Sequence, residues 1–362
     1  MEQLRNLLKT IPEYAMAVDA LRRHENVAIT GIGQINRSHM IAGLYQDSGR
    51  PVVVICQDDM AAKRLQEELK CFTGQLYPIL PSRELTLYDS AVVSRSWEQK
   101  RLRQLYELAN GQTSVQIFSW DALSQRTMPR NTLLQSAFRM TTGREYDMED
   151  LLRKLSGAGY SRCGMVEGPG QFALRGGILD VFSPAADRPF RAEFFGDELD
   201  TMGYFDPDSQ RRTENVDSVL VLPVGETQPR LHPDGIKGLC DDLTSLIQRQ
   251  KRRKTINENL IQTLERDLEK YENSIQNPAS DRYMALIYPE FATAMDFIPS
   301  DAIIVLCDQN SLRRRAHSRT EEIGAATFNL TLYPQAVRVD MSAYNPAAEN
   351  VITNTANARV HY

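Results

Sequence analysis

Two apolar runs, separated by a short turn that contains a proline, constrain the fold of this 362-residue chain most strongly. They are Phe172–Phe182 and Phe190–Leu199, and both are predicted to be strands of one sheet. Because successive side chains of a strand point to opposite faces, the second run divides cleanly into two sets. The sheet it belongs to therefore has one apolar face and one face of unusual composition.

The unusual face carries an arginine, a glutamate and a large aromatic ring in a row. The apolar face is predicted to hold Phe190, Ala192 and Phe194. The other face holds Arg191, Glu193 and Phe195, where an exposed strand usually carries Thr, Lys or Ser. Two interpretations are open: a charged pair on a half-exposed sheet with Phe195 covered by a loop, or a binding surface. Under the second, the Arg191–Glu193 pair is exposed and contributes little to folding.

Length and composition limit the class of protein. A chain of 362 residues is expected to form two or three domains, and 42% hydrophobic with 25% charged residues is typical of a globular protein. The net charge of −5 gives no overall positive field for a nucleic-acid backbone. Five dispersed cysteines without C-x-x-C spacing argue against disulfides and zinc, and no run is long enough to span a membrane. We therefore expect a cytoplasmic protein with no metal or other cofactor.

The first part of the chain alternates strands and helices. Short apolar runs at Asn26–Thr30, Pro51–Cys56 and Ser114–Trp120 are separated by segments with helical spacing of apolar residues. Ala302–Cys307 is a further run of the same kind. This alternation predicts an open, mainly parallel sheet with helices on its faces.

The loop after the first strand has the outline of a phosphate-binding loop without its chemistry. That loop needs G-x-x-x-x-G-K-[ST], and from Gly31 this chain has Asn36 for the second glycine, Arg37 for the lysine, and Ser38. The glycine lets the backbone close around phosphates, and a planar guanidinium does not replace the compact lysine ammonium. We predict a loop that does not bind nucleotide, although a plain strand-to-helix turn would look the same.

An acidic strand end that could hold Mg²⁺ is also incomplete. Asp308 follows the Ala302–Cys307 run, but Gln309 stands where a catalytic glutamate is expected, and glutamine cannot act as a base. No other catalytic motif stands out in the sequence.

A segment of different character interrupts the alternating pattern after Trp120. Asp147–Ser156 has an acidic start and apolar residues at helical spacing. The two apolar runs Phe172–Phe182 and Phe190–Leu199 follow it. One helix on a small antiparallel sheet predicts an α+β insert of about 85 residues. Ser218–Pro223 is then predicted to be the strand that returns to the first domain.

The remaining chain is predicted to be helical and then extended. Charged, helix-like sequence runs from Leu231 to Asn277, with Lys251–Lys254 in its middle. The basic run is interpreted as a solvated helix face, with a DNA or phosphate contact as the alternative. The alternation of Thr327–Tyr333 predicts a late strand of the sheet domain.

A long series of motifs in the insert resembles one family of repair proteins. The series is G-Y-x-R, V-E-x-x-G-x-F-A-x-R-G-G-I-L-D-V-F-x-P, R-x-E-F-F-G-D-E-L-D and F-D-P-x-S-Q-R, between Gly159 and Arg211. It resembles the N-terminal part of the bacterial transcription-repair coupling factors and, more distantly, the excision-repair helicase UvrB. The resemblance extends over roughly residues 20 to 330.

The resemblance implies a fold, a partner and a set of residues. The fold is α/β: a UvrB-like open parallel-sheet platform related to P-loop NTPases but degenerate, with an inserted α+β domain that binds UvrA. The implied domains are residues 1–122 and 213–344 for the platform, 123–212 for the insert and 345–362 for a tail. In the family, the UvrA-docking surface uses the residues that match Arg175, Arg191, Glu193 and Phe195.

The implied function is that of an adaptor that recruits UvrA to stalled transcription complexes and lacks ATPase activity of its own. In the family, the full-length protein is an ATP-dependent DNA translocase that also contacts RNA polymerase and duplex DNA. The alternative is an ATP-dependent DNA helicase or damage-binding module of the UvrB type. A simple DNA-binding module that uses Lys251–Lys254 is a third interpretation.

Overall fold

A parallel six-stranded sheet forms the platform of the computed structural model, which describes residues 7–82, 96–254, 258–275, 277, 279–318 and 360–361. The strand order is β1-β14-β13-β2-β4-β3. The strands are β1 (Val27–Ala28), β2 (Val52–Cys56), β3 (Ile79–Leu80), β4 (Val115–Ser119), β13 (Ile303–Leu306) and β14 (Val360–His361). All neighbouring pairs are parallel, as the alternation of strands and helices predicts.

Helices cover both faces of this sheet. They are α1 (Pro12–Arg22), α2 (Gln34–Ser48), α3 (Asp59–Thr73), α4 (Ser96–Ala109), α5 (Trp120–Ser124) and α6 (Arg130–Ser136). Every residue of β2 is buried, because Val53 and Ile55 pack into one core while Val52 and Val54 pack into the other. A strand buried on both faces has a continuous apolar sequence, which explains the uninterrupted run at this position.

The inserted domain is built on a second six-stranded sheet, in the order β11-β10-β9-β8-β7-β6. Its elements are α7 (Met148–Gly157), β6 (Ser161–Arg162), β7 (Gln171–Arg175), β8 (Ile178–Val181), β9 (Phe190–Phe195), β10 (Glu198–Phe205) and β11 (Arg212–Asn215). The runs Phe172–Phe182 and Phe190–Leu199 lie in one sheet, as predicted, but each run forms two strands and not one. Gly176 and Gly196 have positive φ, and each run folds back there as a hairpin.

The insert includes a strand that was predicted to belong to the platform. The strand β12 (Ser218–Val221) does not return to the platform but pairs with β5 (Phe138–Thr141) in a separate two-stranded sheet. Val219 and Val221 pack with Leu151, Leu155 and Phe190 in the core of the insert. Packing against this core therefore joins both strands to the insert: β5 lies within the predicted 123–212, and β12 lies beyond its C-terminal end.

A helical layer completes the platform. It contains α8 (Gly235–Lys251), α9 (Glu258–Glu272), α10 (Met284–Ile287) and a further helix over residues 309–318. The apolar residues at helical spacing in α8 and α9 are buried or partly buried in one core: Leu243, Ile247, Leu260, Leu264 and Leu268. The predicted strand Thr327–Tyr333 lies outside the described residues, and of the predicted tail only Val360 and His361 are described, as β14.

A buried ion pair lies where the chain leaves the insert. Arg101 of α4 approaches the Glu226 carboxylate at 2.6 Å, and neither side chain is exposed to solvent. Thr127 Oγ1 donates to the same carboxylate at 2.7 Å, and Arg101 also donates to the carbonyl oxygens of Pro81 and Ala122. The pair joins the end of the insert to the platform.

Phe190 and Phe195 provide a matched test of the two faces of β9. Phe190→Ala is expected to lower the free energy of unfolding by about 3 to 5 kcal/mol, because its ring is fully buried. Phe195→Ala is expected to change it by less than about 0.5 kcal/mol, because its ring is 85% exposed. Urea unfolding followed by circular dichroism measures both, and equal losses would contradict this assignment of faces.

Candidate functional site

The four predicted docking residues lie together on one face of the insert sheet. Strand register places Arg175, Ile178, Glu193 and Thr201 in one row across four strands, and Asp180 and Arg191 in the next. We call this surface the open face. It comprises Arg175, Ile178, Asp180, Arg191, Glu193, Phe195, Thr201 and Arg212.

A buried carboxylate organises the two predicted arginines. Arg191 Nε and Nη2 donate to the two oxygens of Asp180 at 2.7 and 2.9 Å, and Arg175 Nη2 donates to Oδ2 at 2.6 Å. The Asp180 side chain is completely buried, whereas that of Arg175 is 49% exposed. Hydrogen bonding to Asp180 raises the pKa of the Arg191 guanidinium.

The predicted exposed pair between Arg191 and Glu193 does not form. Arg191 is turned to Asp180 and lies over the Phe205 ring, with 4.8 Å between its guanidinium carbon and the ring centroid. Glu193 instead pairs with Arg212, whose Nη1 lies 3.0 Å from Oε1. Direct opposition on neighbouring strands explains the first contact, because Asp180 and Arg191 are register partners.

Glycine 203 makes room for the second pair. A Cβ atom at this position would lie 2.4 Å from Arg212 Nε and 2.6 Å from the carbonyl oxygen of Glu214. The absence of a side chain therefore lets Arg212 lie across β10 and reach both Glu193 and Thr201 Oγ1. Asp180 and Arg212 were not among the predicted site residues.

Phe195 is not covered by a loop. Its ring is 85% exposed and Ile178, across the sheet from Glu193, is 37% exposed. Exposed aromatic rings beside arginines are the composition found at the centre of protein interfaces. The open face is thus a rigid arrangement of charge and apolar surface that can bind another molecule.

The degenerate loop of the platform is described completely. Gly31 has a positive φ of 77°, but α2 already begins at Gln34. The Arg37 N–H donates to the Gly33 carbonyl oxygen at 3.0 Å, as in an ordinary helix. In a phosphate-binding loop, the preceding backbone N–H groups would instead point inward at the phosphates. The early helix leaves no such cradle at Asn36 and Arg37.

The carboxylate of Glu68, on the next helix, accepts hydrogen bonds from two polar side chains of α2. Ser38 Oγ is fully buried and donates to Glu68 Oε2, and Gln34 Nε2 donates to Glu68 Oε1 at 3.1 Å. The serine that would contact Mg²⁺ in a working loop is therefore already occupied. A negative side chain at this position also opposes the approach of an anionic phosphate.

Arg37 lies near two thiols at the ends of β2 and β13. A hydrogen bond from Cys56 and then the positive charge of Arg37 lower the pKa of the buried Cys307 thiol. Arg37 Nε is buried without a hydrogen-bond partner.

Asp308 is engaged in capping the helix that follows it. Its carboxylate accepts from Ser311 Oγ at 2.6 Å and from the Ser311 N–H at 3.1 Å, and these bonds lower its pKa. Gln309, the next residue, is half-buried. A cavity of about 910 Å³ opens beside Gly31, and no Lys or Arg is among the described residues that line it.

Arg191→Ala tests the corrected pairing. We expect a loss of about 3 kcal/mol in the free energy of unfolding, because the change leaves a buried carboxylate with one partner in place of two. Arg188→Ala is the control: its pair with Glu214 is exposed and is expected to contribute about 0 to 1 kcal/mol. Thermal and urea unfolding of both variants measure the difference, and equal stability would contradict the buried role of Arg191.

Comparison with known families agrees with this architecture. The sequence profile of the UvrB interaction domain matches residues 138–226, which are the strands and helix of the insert with β5 and β12. No helix among the described residues is both long and apolar enough to cross a bilayer.

Curated relatives extend the similarity to the platform. The transcription-repair-coupling factor of Myxococcus xanthus is 33% identical over 60% of this chain and 19% of its own length. That of Escherichia coli is 35% identical over 52% of this chain and 16% of its own length. That of Bacillus subtilis is 23% identical over 89% of this chain, which spans 27% of that protein. Residues 138–226 therefore match the UvrB interaction domain, and the chain is similar to a part of the bacterial transcription-repair-coupling factors, of whose length it spans between 16% and 27%.

Proposed function

We propose that this chain is the module of a transcription-repair coupling factor that docks the excision-repair protein UvrA. The observation that carries the proposal is the exposed Phe195 beside the fixed arginines of the open face, within a UvrB interaction domain. A folded domain has no folding reason to expose a phenylalanine ring at the end of a strand that carries an ordered charge cluster. A partner that covers it explains why the ring is there.

The role of the proposed docking is to bring UvrA to transcription complexes that have stalled at lesions. The curated relatives are named as transcription-repair-coupling factors, which supports this setting. In the complete protein, RNA polymerase and duplex DNA are further proposed partners. This chain contributes the adaptor surface.

We further propose that this chain neither binds nor hydrolyses ATP. One support is the early start of α2 at Gln34, and another is the hydrogen bond that Ser38 donates to the Glu68 carboxylate. A third is that Asp308 caps the helix that follows it. A UvrB-type helicase, the alternative, would need these groups free for phosphates and Mg²⁺.

Binding of purified UvrA tests the docking role. Phe195→Ala is expected to weaken binding by about thirtyfold, since an interface anchor contributes about 2 kcal/mol or more. Its melting temperature should stay that of the unchanged chain. Met60→Ala, which removes another apolar side chain that is 75% exposed, is the matched control and should bind normally. Full affinity of the Phe195→Ala variant would contradict a docking role for the open face.

Calorimetric titration with Mg·ATP tests the second proposal. We expect no saturable heat for the unchanged chain, and none for Glu68→Gln, because removing the negative charge does not rebuild the backbone cradle. Purified UvrB is the positive control for the titration. Saturable binding in the low micromolar range, or turnover that disappears in Arg37→Ala, would favour the helicase alternative.

A further inference from the structure

Asp180 is the most constrained side chain of the open face and has no direct access to a partner. It is completely buried, and both of its oxygens are taken by guanidinium groups. An isolated buried carboxylate is very costly, so its burial requires these cations. In turn, Asp180 fixes the positions of the two arginine side chains, because both donate hydrogen bonds to its carboxylate.

The two arginines differ in what they have left to offer. Arg191 uses two nitrogens on Asp180, contacts the Gln210 carbonyl oxygen through Nη1 at 3.4 Å and lies over Phe205; its side chain is only 17% exposed. Arg175 gives Asp180 a single nitrogen and remains 49% exposed. The donors available to a partner are therefore those of Arg175.

The charge balance of the open face also indicates Arg175 as the residue that can bind a partner. Three arginines face two carboxylates, so one positive charge is in excess on a chain whose net charge is −5. Glu193 and Arg212 neutralise one another at 3.0 Å. Asp180 is shared by Arg175 and Arg191, which leaves the excess on the more exposed of the two.

We propose that Asp180 is a positioning residue that holds Arg175 as the cation for a carboxylate of the docked protein, beside an apolar socket that takes Phe195. The inference rests on the proposed docking of UvrA and adds the chemistry of the partner surface. A guanidinium fixed in advance loses less conformational entropy on binding and offers a carboxylate a directed contact. Ile178, in the row between Arg175 and Glu193, contributes apolar surface to the same contact.

A double-mutant cycle on UvrA affinity tests the positioning role. The Asp180→Asn variant is expected to bind UvrA about tenfold more weakly, a loss of ~1.4 kcal/mol. The binding is measured well below the melting temperature of the variant. Arg175→Ala should then cost much less in the Asp180→Asn background than in the unchanged chain. A purely structural Asp180 would lower the melting temperature but leave the Arg175→Ala factor the same in both backgrounds, and that result would overturn the inference.

A charge series at Arg175 tests the partner chemistry even if Asp180→Asn does not fold. Arg175→Lys should retain part of the affinity, Arg175→Ala less, and Arg175→Glu least, with a salt dependence that disappears in the alanine variant. Equal affinities across the series would overturn the inference. Arg188→Ala, in the loop between β8 and β9, is the control.

The outcome for the unchanged chain separates the two proposals. If it does not bind UvrA, the proposed function fails. If it binds, and the Asp180 and Arg175 variants that fold bind equally well, docking stands and only the positioning of Arg175 by Asp180 is wrong.

Discussion

The buried pair of Arg101 and Glu226 fixes how the two parts of this chain are joined. Two charges without solvent exposure are tolerated only with further hydrogen bonds, and here Thr127, Glu98 and Tyr288 engage the side chain or backbone of Glu226. The pair ties the segment that follows β12 to α4 of the platform. The proposed docking role needs this rigidity, because a binding surface directs its partner only when the surface itself is held in place.

The alternation of side chains along a strand allowed the residues of the open face to be predicted. It could not predict which charged residues of that face pair with one another. The period of two placed Arg191, Glu193 and Phe195 together, and the structure confirms that shared face. Asp180 gave no signal, because it stands within an apolar run where a carboxylate has no visible partner. Its contact with Arg191 depends on strand register, which a hairpin fixes only after its turn has been located.

The predicted return of Ser218–Pro223 to the platform failed for the same reason. An apolar run such as Ser218–Pro223 can pack into the core of either domain. Its own sequence does not show whether its partner strand lies in the platform or in the insert. Pairing with β5, almost eighty residues earlier, decided the outcome. In the platform, by contrast, most strands were predicted within about two residues, because runs buried on both faces have a strong and purely local pattern.

The contact of Glu68 with Ser38 and Gln34 has a thermodynamic consequence. A protein that binds a phosphate ligand gains stability that grows with the concentration of that ligand, by RT ln(1 + [L]/Kd). In this chain the anion at the start of α2 is part of the polypeptide, so its local concentration is set by the fold of α3 and not by the surrounding solution. The contribution of this contact to platform stability is therefore built into the fold and needs no dissolved ligand.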